Sequence, residues 1–206
     1  MVDLHIHAIN KNEKPQFVTL MYGAFKHDPL FIQAFGQPNQ QEKTAKKFLS
    51  ALFDMNVMLG NQPLGIYKAN NLMGCMLLEK PIGNKFENFY RMMAAIIKFI
   101  PTMLSMKGST AKFLNDYMKK TRDAAPNHNH HYLAMIGILS TAQGQGLGRK
   151  LMQHAIQQCN QDPNSSGIAL DTENETNIAI YKKWNFALKQ QVDVSNIVAY
   201  CMFRSK

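Results

Sequence analysis

The sequence predicts a mixed α/β fold in which helices flank a largely antiparallel sheet. Residues 64–68 and 73–78 form a hairpin pattern, since asparagines that favour turns separate two strand-like runs. An apolar run at residues 132–138 leads into a glycine-rich turn that a helical pattern follows. Two further strand-like runs, 187–192 and 197–203, lie near the end of the chain. With 206 residues, 46% of them hydrophobic, we expect one domain spanning residues 1–206.

The N-terminal part is predicted to contribute one strand and two helices. Residues 4–9 alternate enough for a first strand, and Pro15 opens an apolar-periodic segment that reads as a helix ending near Asp28 and Pro29. A second helix is predicted from about Gln41 to Met58, because Ala45, Phe48, Leu49 and Leu52 fall on one face.

Residues 82–125 are predicted to form a helical insertion after the hairpin. Its segment 89–106 is rich in Met and Phe, a composition typical of a core, a dimer interface or the wall of an adaptable pocket. The alternative is a helix on an anionic membrane surface, where Arg91, Lys98 and Lys107 would meet lipid headgroups. We favour packing within the protein.

The turn at residues 143–150 reads Gln-Gly-Gln-Gly-Leu-Gly-Arg-Lys and predicts an anion site. Its alternating glycines let the backbone approach a ligand closely, and the following helix directs the positive end of its dipole at the turn. Arg149 and Lys150 add positive charge, so a phosphate or pyrophosphate is the expected ligand. The third glycine comes one place early for a dinucleotide fingerprint, and Leu151 stands where a P-loop requires Ser or Thr.

Read as Gln143, Gly146 and Gly148, the turn instead resembles the Q-x-x-G-x-G motif of the GNAT superfamily, the acyl-CoA-dependent N-acyltransferases. Residues 170–186 are similar to the second conserved block of that family, with Tyr181 at the position of the family tyrosine.

Two positions depart from the family pattern. Asn185 stands where glycine is customary, and Ser140 stands where proline is frequent. Asparagine tolerates a left-handed backbone better than most residues, so we expect the helix cap at Asn185 to be kept.

The resemblance implies a twisted sheet whose two central parallel strands splay into a V that holds the cofactor. It implies transfer of an acetyl group from acetyl-CoA to a primary amine of a small molecule or peptide by direct attack. Strand backbone at 136–138 would bind the pantetheine arm, and N–H groups of the turn would bind the pyrophosphate. The implied cofactor-binding residues are Ile136, Gly137, Ile138, Gln143, Gly144, Gln145, Gly146, Leu147, Gly148, Arg149, Asn174 and Asn177.

The resemblance also implies one catalytic residue, Tyr181, whereas the general base is less defined, because related enzymes use a carboxylate, a histidine or a water chain. Tyr181 would protonate the departing thiolate as general acid; the alternative is a packed helix tyrosine. Asn174 precedes Tyr181 by seven residues, two helical turns, so we expect both side chains on one face. Asp171 is our prediction for the general base, with Glu173 the other nearby carboxylate; either could instead be an ordinary charge near a helix N-terminus.

Other features of the sequence argue against several kinds of site. His128, His130 and His131 form a cluster without a Cys or carboxylate at a matching spacing, so we predict a loop and no metal. The three cysteines lack paired metal-ligand spacing and are predicted to be buried free thiols. Neither a signal peptide nor a run of about 18 apolar residues is present, so we expect a cytoplasmic protein without a membrane partner.

The net charge of +9 suits an anionic cofactor, because a positive field favours capture of the phosphates of coenzyme A. The basic residues are spread along the chain without a nucleic-acid-binding module, so no nucleic-acid partner is expected. The alternatives left open are a longer-chain acyltransferase, a coenzyme-A-binding regulatory domain without turnover, and a basic nucleic-acid module. A homodimer is compatible with the apolar insertion, and the sequence does not specify the acceptor.

Overall fold

The computed structural model describes residues 4–81 and 85–206, which form a seven-stranded sheet with helices on both faces. The strands are β1 Leu4–Ala8, β2 Leu64–Lys68, β3 Asn71–Glu79, β4 His131–Ile138, β5 Gly167–Thr172, β6 Ala187–Val194 and β7 Ile197–Ser205. The helices are α1 Lys14–Phe25, α2 Pro29–Phe35, α3 Pro38–Met58, α4 Lys85–Leu104, α5 Gly108–Asp123, α6 Leu147–Gln161 and α7 Glu175–Lys182.

The strand order in the sheet is β1-β2-β3-β4-β5-β7-β6, and only the central β4–β5 pair is parallel. This confirms the predicted fold class. The parallel pairing is short, since it runs from His131 opposite Ile168 to Leu133 opposite Leu170. β4 continues to Ile138 and remains paired with β3 throughout. The two central strands are therefore paired only at their N-terminal ends, which produces the expected V-shaped gap.

A bulge lies where the parallel pairing stops. Leu77 of β3 faces Met135 and Leu78 faces Leu133, so Ala134 is an extra residue in β4. A bulge bends a strand and increases its local twist, and it redirects the side chains that follow. The bulge at Ala134 thus accompanies the separation of β4 from β5.

The hydrophobic core lies on the two faces of the sheet. Residues of β3 alternate between them, with Cys75 and Leu77 toward α1, α2, α3 and α5, and Met76 and Leu78 toward α6. Leu151 and Ala155 of α6 are fully buried against this second face. Both faces of the central strands are consequently shielded from water, as parallel pairing requires.

The helices differ from the sequence prediction in two places. The Asp28-Pro29 pair does not only end the first helix; it also begins α2, with Asp28 as the N-cap that accepts a hydrogen bond from the Leu30 N–H at 2.9 Å. Proline suits the first position of a helix, so the pair is a start signal as well. The second predicted helix begins at Pro38 rather than near Gln41. Pro101 lies inside α4.

The predicted insertion at 82–125 contains α4 and α5; its first residues, 82–84, lie outside the described part of the chain. α4 packs along α3, where the rings of Phe48 and Phe99 are 6.2 Å apart. Its exposed apolar residues are Met93, Ile97, Ile100 and Leu104. The structure does not describe the side chains of Phe89, Arg91, Met92 and Ile96. In the residues that the structure describes, no helix is long and apolar enough to cross a membrane.

The C-terminal end of α7 closes in a Schellman motif, as predicted for Asn185. Asn185 has a φ of 63°, its N–H bonds to the Lys182 carbonyl at 3.0 Å, and the Phe186 N–H bonds to the Tyr181 carbonyl at 3.2 Å. The rings of Tyr181 and Phe186 are 5.8 Å apart, and Phe186 is fully buried. The motif therefore ties Tyr181 to the core.

We predict that Asn185→Gly is neutral or stabilising, whereas Asn185→Val lowers the free energy of unfolding by about 1–2 kcal/mol, because a β-branched residue is strained at positive φ. Urea denaturation followed by circular dichroism checks both variants. Equal stability of the Gly and Val variants would contradict the role assigned to the cap.

Candidate functional site

The gap between β4 and β5 exposes one edge of β4. Beyond Leu133, no described strand pairs with this edge, although the opposite edge bonds to β3 as far as Ile138. Ile136 and Ile138 are half-buried, and a Cβ added at Gly137 would lie 2.9 Å from the Met21 sulfur. α1 therefore packs directly over this part of the strand, and an extended ligand can pair with the free edge as a strand would.

The glycine-rich turn follows β4 and ends at α6. Gly144 and Gly146 have φ values of 77° and 75°, and Gly146 is the N-cap of α6. No side chain caps this helix, whereas Asp28 caps α2 and Asn174 caps α7. The first N–H groups of α6 therefore lack a side-chain acceptor at the site where the helix dipole is positive.

The surroundings of this turn are exposed and basic. Arg149 and Lys150 lie on the first turn of α6, and the Lys68 ammonium donates to the Gln145 side-chain oxygen at 3.1 Å. Gln143, Gly144, Gln145 and Gly146 are exposed, while Leu147 is buried and anchors the helix. This arrangement fits a phosphate or pyrophosphate group.

The structure places Asn174 and Asn177, two predicted residues near the start of α7, in different surroundings. Asn174 precedes the first helical residue and caps the helix, because its Oδ1 accepts from the N–H of Thr176 at 3.1 Å and from its hydroxyl at 2.7 Å. It is exposed and is not among the residues that line the cavity beside Tyr181, so its role toward the cofactor stays a prediction. Asn177 lies one turn before Tyr181, and both side chains line the same cavity. The Asn177 amide donates to the Thr172 hydroxyl at 3.0 Å.

This cavity lies at the open end of the V and has a volume of about 160 Å³. β4 contributes residues 132–136 and the end of β5 contributes 171–173. α5 contributes Leu114, Tyr117, Met118, Thr121 and Arg122, but no described side chain of α4 lines the cavity. The part of the insertion that borders the candidate site is therefore α5.

A hydrogen-bonded group of acids and phenols forms the polar side of the cavity. Asp171 accepts from the hydroxyls of Tyr117 and Tyr132, and Tyr117 also contacts the carboxyl group of Glu173. The Tyr117 hydroxyl has one proton to donate. It can hydrogen-bond to both carboxyl groups only when one of them is protonated and donates to the hydroxyl oxygen. The carboxyl group of Glu173 in turn faces that of Asp28, the N-cap of α2, in the same cavity, and each affects the pKa of the other.

Among the described residues, one arginine lines this cavity, and it is already paired. Arg122 donates from its two terminal nitrogens to the two oxygens of Glu79, at 2.7 and 2.8 Å, and its guanidinium lies 3.5 Å from the ring centroid of Tyr132. A bidentate pair commits the planar donors of arginine to one carboxylate. Arg122 thus balances the charge of Glu79, and it also acts on Asp171, whereas no described cation forms an ion pair with Asp28 or Glu173.

Burial shifts the pKa values of these groups upward. It raises the pKa of Glu173 from 4.5 to about 8, with repulsion from Asp28 as the second cause. Burial also raises the pKa values of Asp28 and Asp171, although hydrogen bonds from Tyr132 and the charge of Arg122 oppose the shift at Asp171. The pKa of Tyr181 rises to about 12 through burial and the neighbouring carboxylates. Tyr181 therefore stays protonated at neutral pH, while Glu173 can exchange a proton there.

The histidines and cysteines lie apart from this cavity. His131 is buried in β4 with its Nδ1 2.9 Å from the Ser165 hydroxyl, while His128 and His130 precede the strand as expected. Cys75, Cys159 and Cys201 are buried free thiols. Within residues 4–81 and 85–206, no group of three His, Cys, Asp or Glu side chains could hold a metal ion.

Sequence reasoning did not assign Asp28, Tyr117 or Arg122 to the site. Asp28-Pro29 carried the signal of a helix start, but nothing in that signal shows that the carboxyl group meets Glu173. Tyr117 and Arg122 lie on α5, in the part of the chain without a recognised motif. Their positions follow from packing of α5 against the sheet.

Comparison with protein families matches residues 110–186 to the acetyltransferase (GNAT) family. This range includes α5, β4, the glycine-rich turn, α6, β5 and α7. An uncharacterised N-acetyltransferase of Schizosaccharomyces pombe is 24% identical over 188 residues, which cover 88% of this chain and 73% of the yeast protein. The resemblance found in the sequence is confirmed.

Solved structures share the fold at low sequence identity. A Corynebacterium glutamicum protein described as histone acetyltransferase HPA2 and related acetyltransferase superposes with a TM-score of 0.73 at 16% identity, covering 100% of this chain and 97% of the other. Arylalkylamine N-acetyltransferase 2 of Aedes aegypti superposes with a TM-score of 0.67 at 13% identity, covering 98% and 99%. At these identities the likeness concerns the fold.

The raised pKa of Glu173 predicts a dependence of stability on pH. The native state retains this proton up to about pH 8 whereas the unfolded chain releases it near 4.5, so the contribution of Glu173 to stability falls as the pH rises through that window. Glu173→Gln cannot ionise, and we expect its melting temperature relative to the unsubstituted protein to increase between about pH 5 and pH 8.5.

Differential scanning fluorimetry at several pH values measures this difference. Glu175→Gln is the matched control, because Glu175 is exposed on the first turn of α7 and its substitution should give a difference that does not change over this range. A constant offset for Glu173→Gln as well would contradict the burial argument.

Proposed function

From the match of residues 110–186 to the GNAT acetyltransferases, we propose that this protein transfers an acetyl group from acetyl-CoA to a primary amine. The observation that carries the proposal is the continuity of three features along β4. An uncapped helix N-terminus suits the pyrophosphate, an unpaired strand edge suits the pantetheine arm, and a cavity with titratable groups lies beyond them. Most of the cofactor-binding residues predicted from the sequence belong to β4, the glycine-rich turn and the first turn of α6, which supports this proposal.

The chemistry we propose is direct attack of the amine on the thioester. Tyr181 acts as general acid toward the thiolate. Its raised pKa keeps the phenol protonated at neutral pH but makes it a weaker acid, so the role is supported by its position at the cavity rather than by the pKa shift. Asp171 was the sequence prediction for the base, but two phenols already donate to its oxygens. Glu173, with a pKa of about 8, is better matched to accepting a proton near neutral pH.

The small cavity favours acetyl over a longer acyl group. A longer acyl group would need a larger pocket from the Met-rich segment 89–106, yet no described side chain of α4 lines the cavity. The cytoplasmic location, the homodimer and the absence of a nucleic-acid partner stay predictions of the sequence.

Replacing Gly148 tests the proposed cofactor site. A Cβ at Gly148 would meet only Ile138, at 3.6 Å, so a side chain fits there and projects near the end of β4. Gly148→Glu should preserve or raise the stability of α6, since glutamate in the first helical turn is favourable. We nevertheless expect acetyl-CoA to bind at least about tenfold more weakly, because the carboxylate repels the pyrophosphate.

Isothermal titration calorimetry with acetyl-CoA measures the change. Gln153→Glu adds the same charge at an exposed position farther along α6 and should change the dissociation constant far less. Absence of binding by the folded, unsubstituted protein would overturn the proposed function.

Replacing Tyr181 tests catalysis separately from binding. Tyr181→Phe keeps the ring that packs against Phe186 but removes the proton donor, so kcat should fall by about 100-fold while acetyl-CoA affinity is retained. Release of the coenzyme A thiol, followed with a thiol reagent, gives kcat, and Tyr200→Phe serves as the control. An unchanged kcat in Tyr181→Phe would remove Tyr181 from the mechanism.

A further inference from the structure

We infer that the acceptor is a primary amine with one positive charge and an apolar body, whose ammonium group lies between Asp28 and Glu173. Its body would lie against the aromatic side of the cavity, near Phe25 and Phe31. This inference rests on the proposed function and names the acceptor class of the same cavity.

The cavity has two chemically different sides. On the polar side, Asp28, Glu173, Tyr117 and Asp171 form one connected group, which Tyr181 borders from α7. On the apolar side, the end of α1 and helices α2 and α3 contribute aromatic and aliphatic side chains: Phe25, Leu30, Phe31, Phe48, Leu52 and Met55. Asp28 lies where the two sides meet, since it connects α1 to α2.

On the polar side, Asp28 and Glu173 have no ion-pair partner among the described side chains. Both terminal nitrogens of Arg122 donate to Glu79. A buried carboxylate is costly unless a positive charge or hydrogen-bond donors compensate it. An ammonium group has one positive charge and three hydrogen-bond donors, so it can compensate the buried carboxylates at this end of the cavity.

The apolar side restricts the rest of the acceptor. The rings of Phe25 and Phe31 have centroids 5.6 Å apart, and Phe31 continues to Phe35 and Phe48 through rings 5.3 and 5.4 Å apart. A hydrocarbon or aromatic body gains from burial on this surface. A second ammonium group there would lose its hydration without a partner, which disfavours diamines and polyamines.

The same charges exclude acceptors with a free carboxylate next to the amine. The carboxylate of an amino acid would meet Asp28, Asp171 and Glu173, while the guanidinium of Arg122 is engaged by Glu79. Two carboxylates repel each other strongly in a buried site. A volume of about 160 Å³ also suits a small amine better than a peptide segment.

The proposed reaction assigns a donor and an acceptor to each proton transfer. Glu173 takes one proton from the bound ammonium, and the freed nitrogen lone pair forms a C–N bond with the thioester carbonyl carbon. When the C–S bond breaks, the coenzyme A sulfur gains the Tyr181 proton. The second nitrogen proton restores Tyr181, and Glu173 releases its proton to solvent, so one amide, one thiol and one proton are formed.

Matched pairs of amines test the acceptor class with the full-length protein and acetyl-CoA. Phenethylamine and phenylalanine differ by a carboxylate, and pentylamine and 1,5-diaminopentane differ by a second ammonium. We expect kcat/KM to be higher by at least about tenfold for the first member of each pair. Calorimetry with acetyl-CoA and its Gly148→Glu control is run in parallel.

Two variants test the position of the ammonium group. Asp28→Asn keeps an N-cap for α2, and Glu173→Gln keeps the side-chain volume, so both should fold. Glu173 must be ionised to accept a proton, so kcat/KM for phenethylamine should rise with pH up to about 8. Glu173→Gln should lose this rise, Asp28→Asn should raise KM for phenethylamine, and Glu175→Gln should do neither.

The results separate the two proposals. If acetyl-CoA binds but phenylalanine or 1,5-diaminopentane matches its partner, or if no amine is acetylated above background, the inference on the acceptor is wrong and the cofactor site stands. Retention of the pH-dependent rise in Glu173→Gln would likewise overturn the inference. If acetyl-CoA does not bind, the proposed function itself fails.

Discussion

The rest of the structure depends most on one feature, which is that the pairing between the two central strands stops well before β4 ends. β4 and β5 share only three residue pairs, and the bulge at Ala134 then turns β4 away. A parallel pair normally satisfies its backbone groups along its whole length. Ending the pairing at Leu133 leaves backbone groups of β4 available to a ligand and opens the space that the cavity occupies. The helices on both faces of the sheet keep this gap in place, because they pack against the buried side chains of β3 on the two faces.

The second constraint is electrostatic. Burial raises the pKa values of Asp28, Asp171 and Glu173, and the one arginine nearby is held by Glu79. Such a group of acids destabilises the folded state when all of them ionise, and shifted pKa values of this kind are concentrated at functional sites. The surface has the opposite character: the chain carries a net charge of +9, and the exposed basic residues near the glycine-rich turn favour an anionic cosubstrate. The two ends of the gap therefore favour ligand groups of opposite charge.

Local patterns predicted the elements well. Strand alternation and the asparagine-containing turn located the β2–β3 hairpin, in which Ala69 and Asn70 have positive φ. The family resemblance located the cap at Asn185, which asparagine fills in place of glycine. Spacing did not predict that Asn174 caps α7, because the count of seven positions before Tyr181 does not show where the helix begins, and α7 begins at Glu175.

The sequence by itself determined the fold class, the order of the elements, the glycine-rich turn and the position of Tyr181, since each depends on residues close together in the chain. Only the tertiary structure decided which groups share the cavity. Asp28, Tyr117 and Glu173 come from the α1–α2 connection, from α5 and from the end of β5, and they meet because helices and strands far apart in sequence pack together. The raised pKa values have the same origin, because burial and the proximity of charges are properties of the packed molecule. The acceptor class we infer therefore depends on packing, whereas the anion site could be predicted from a short motif.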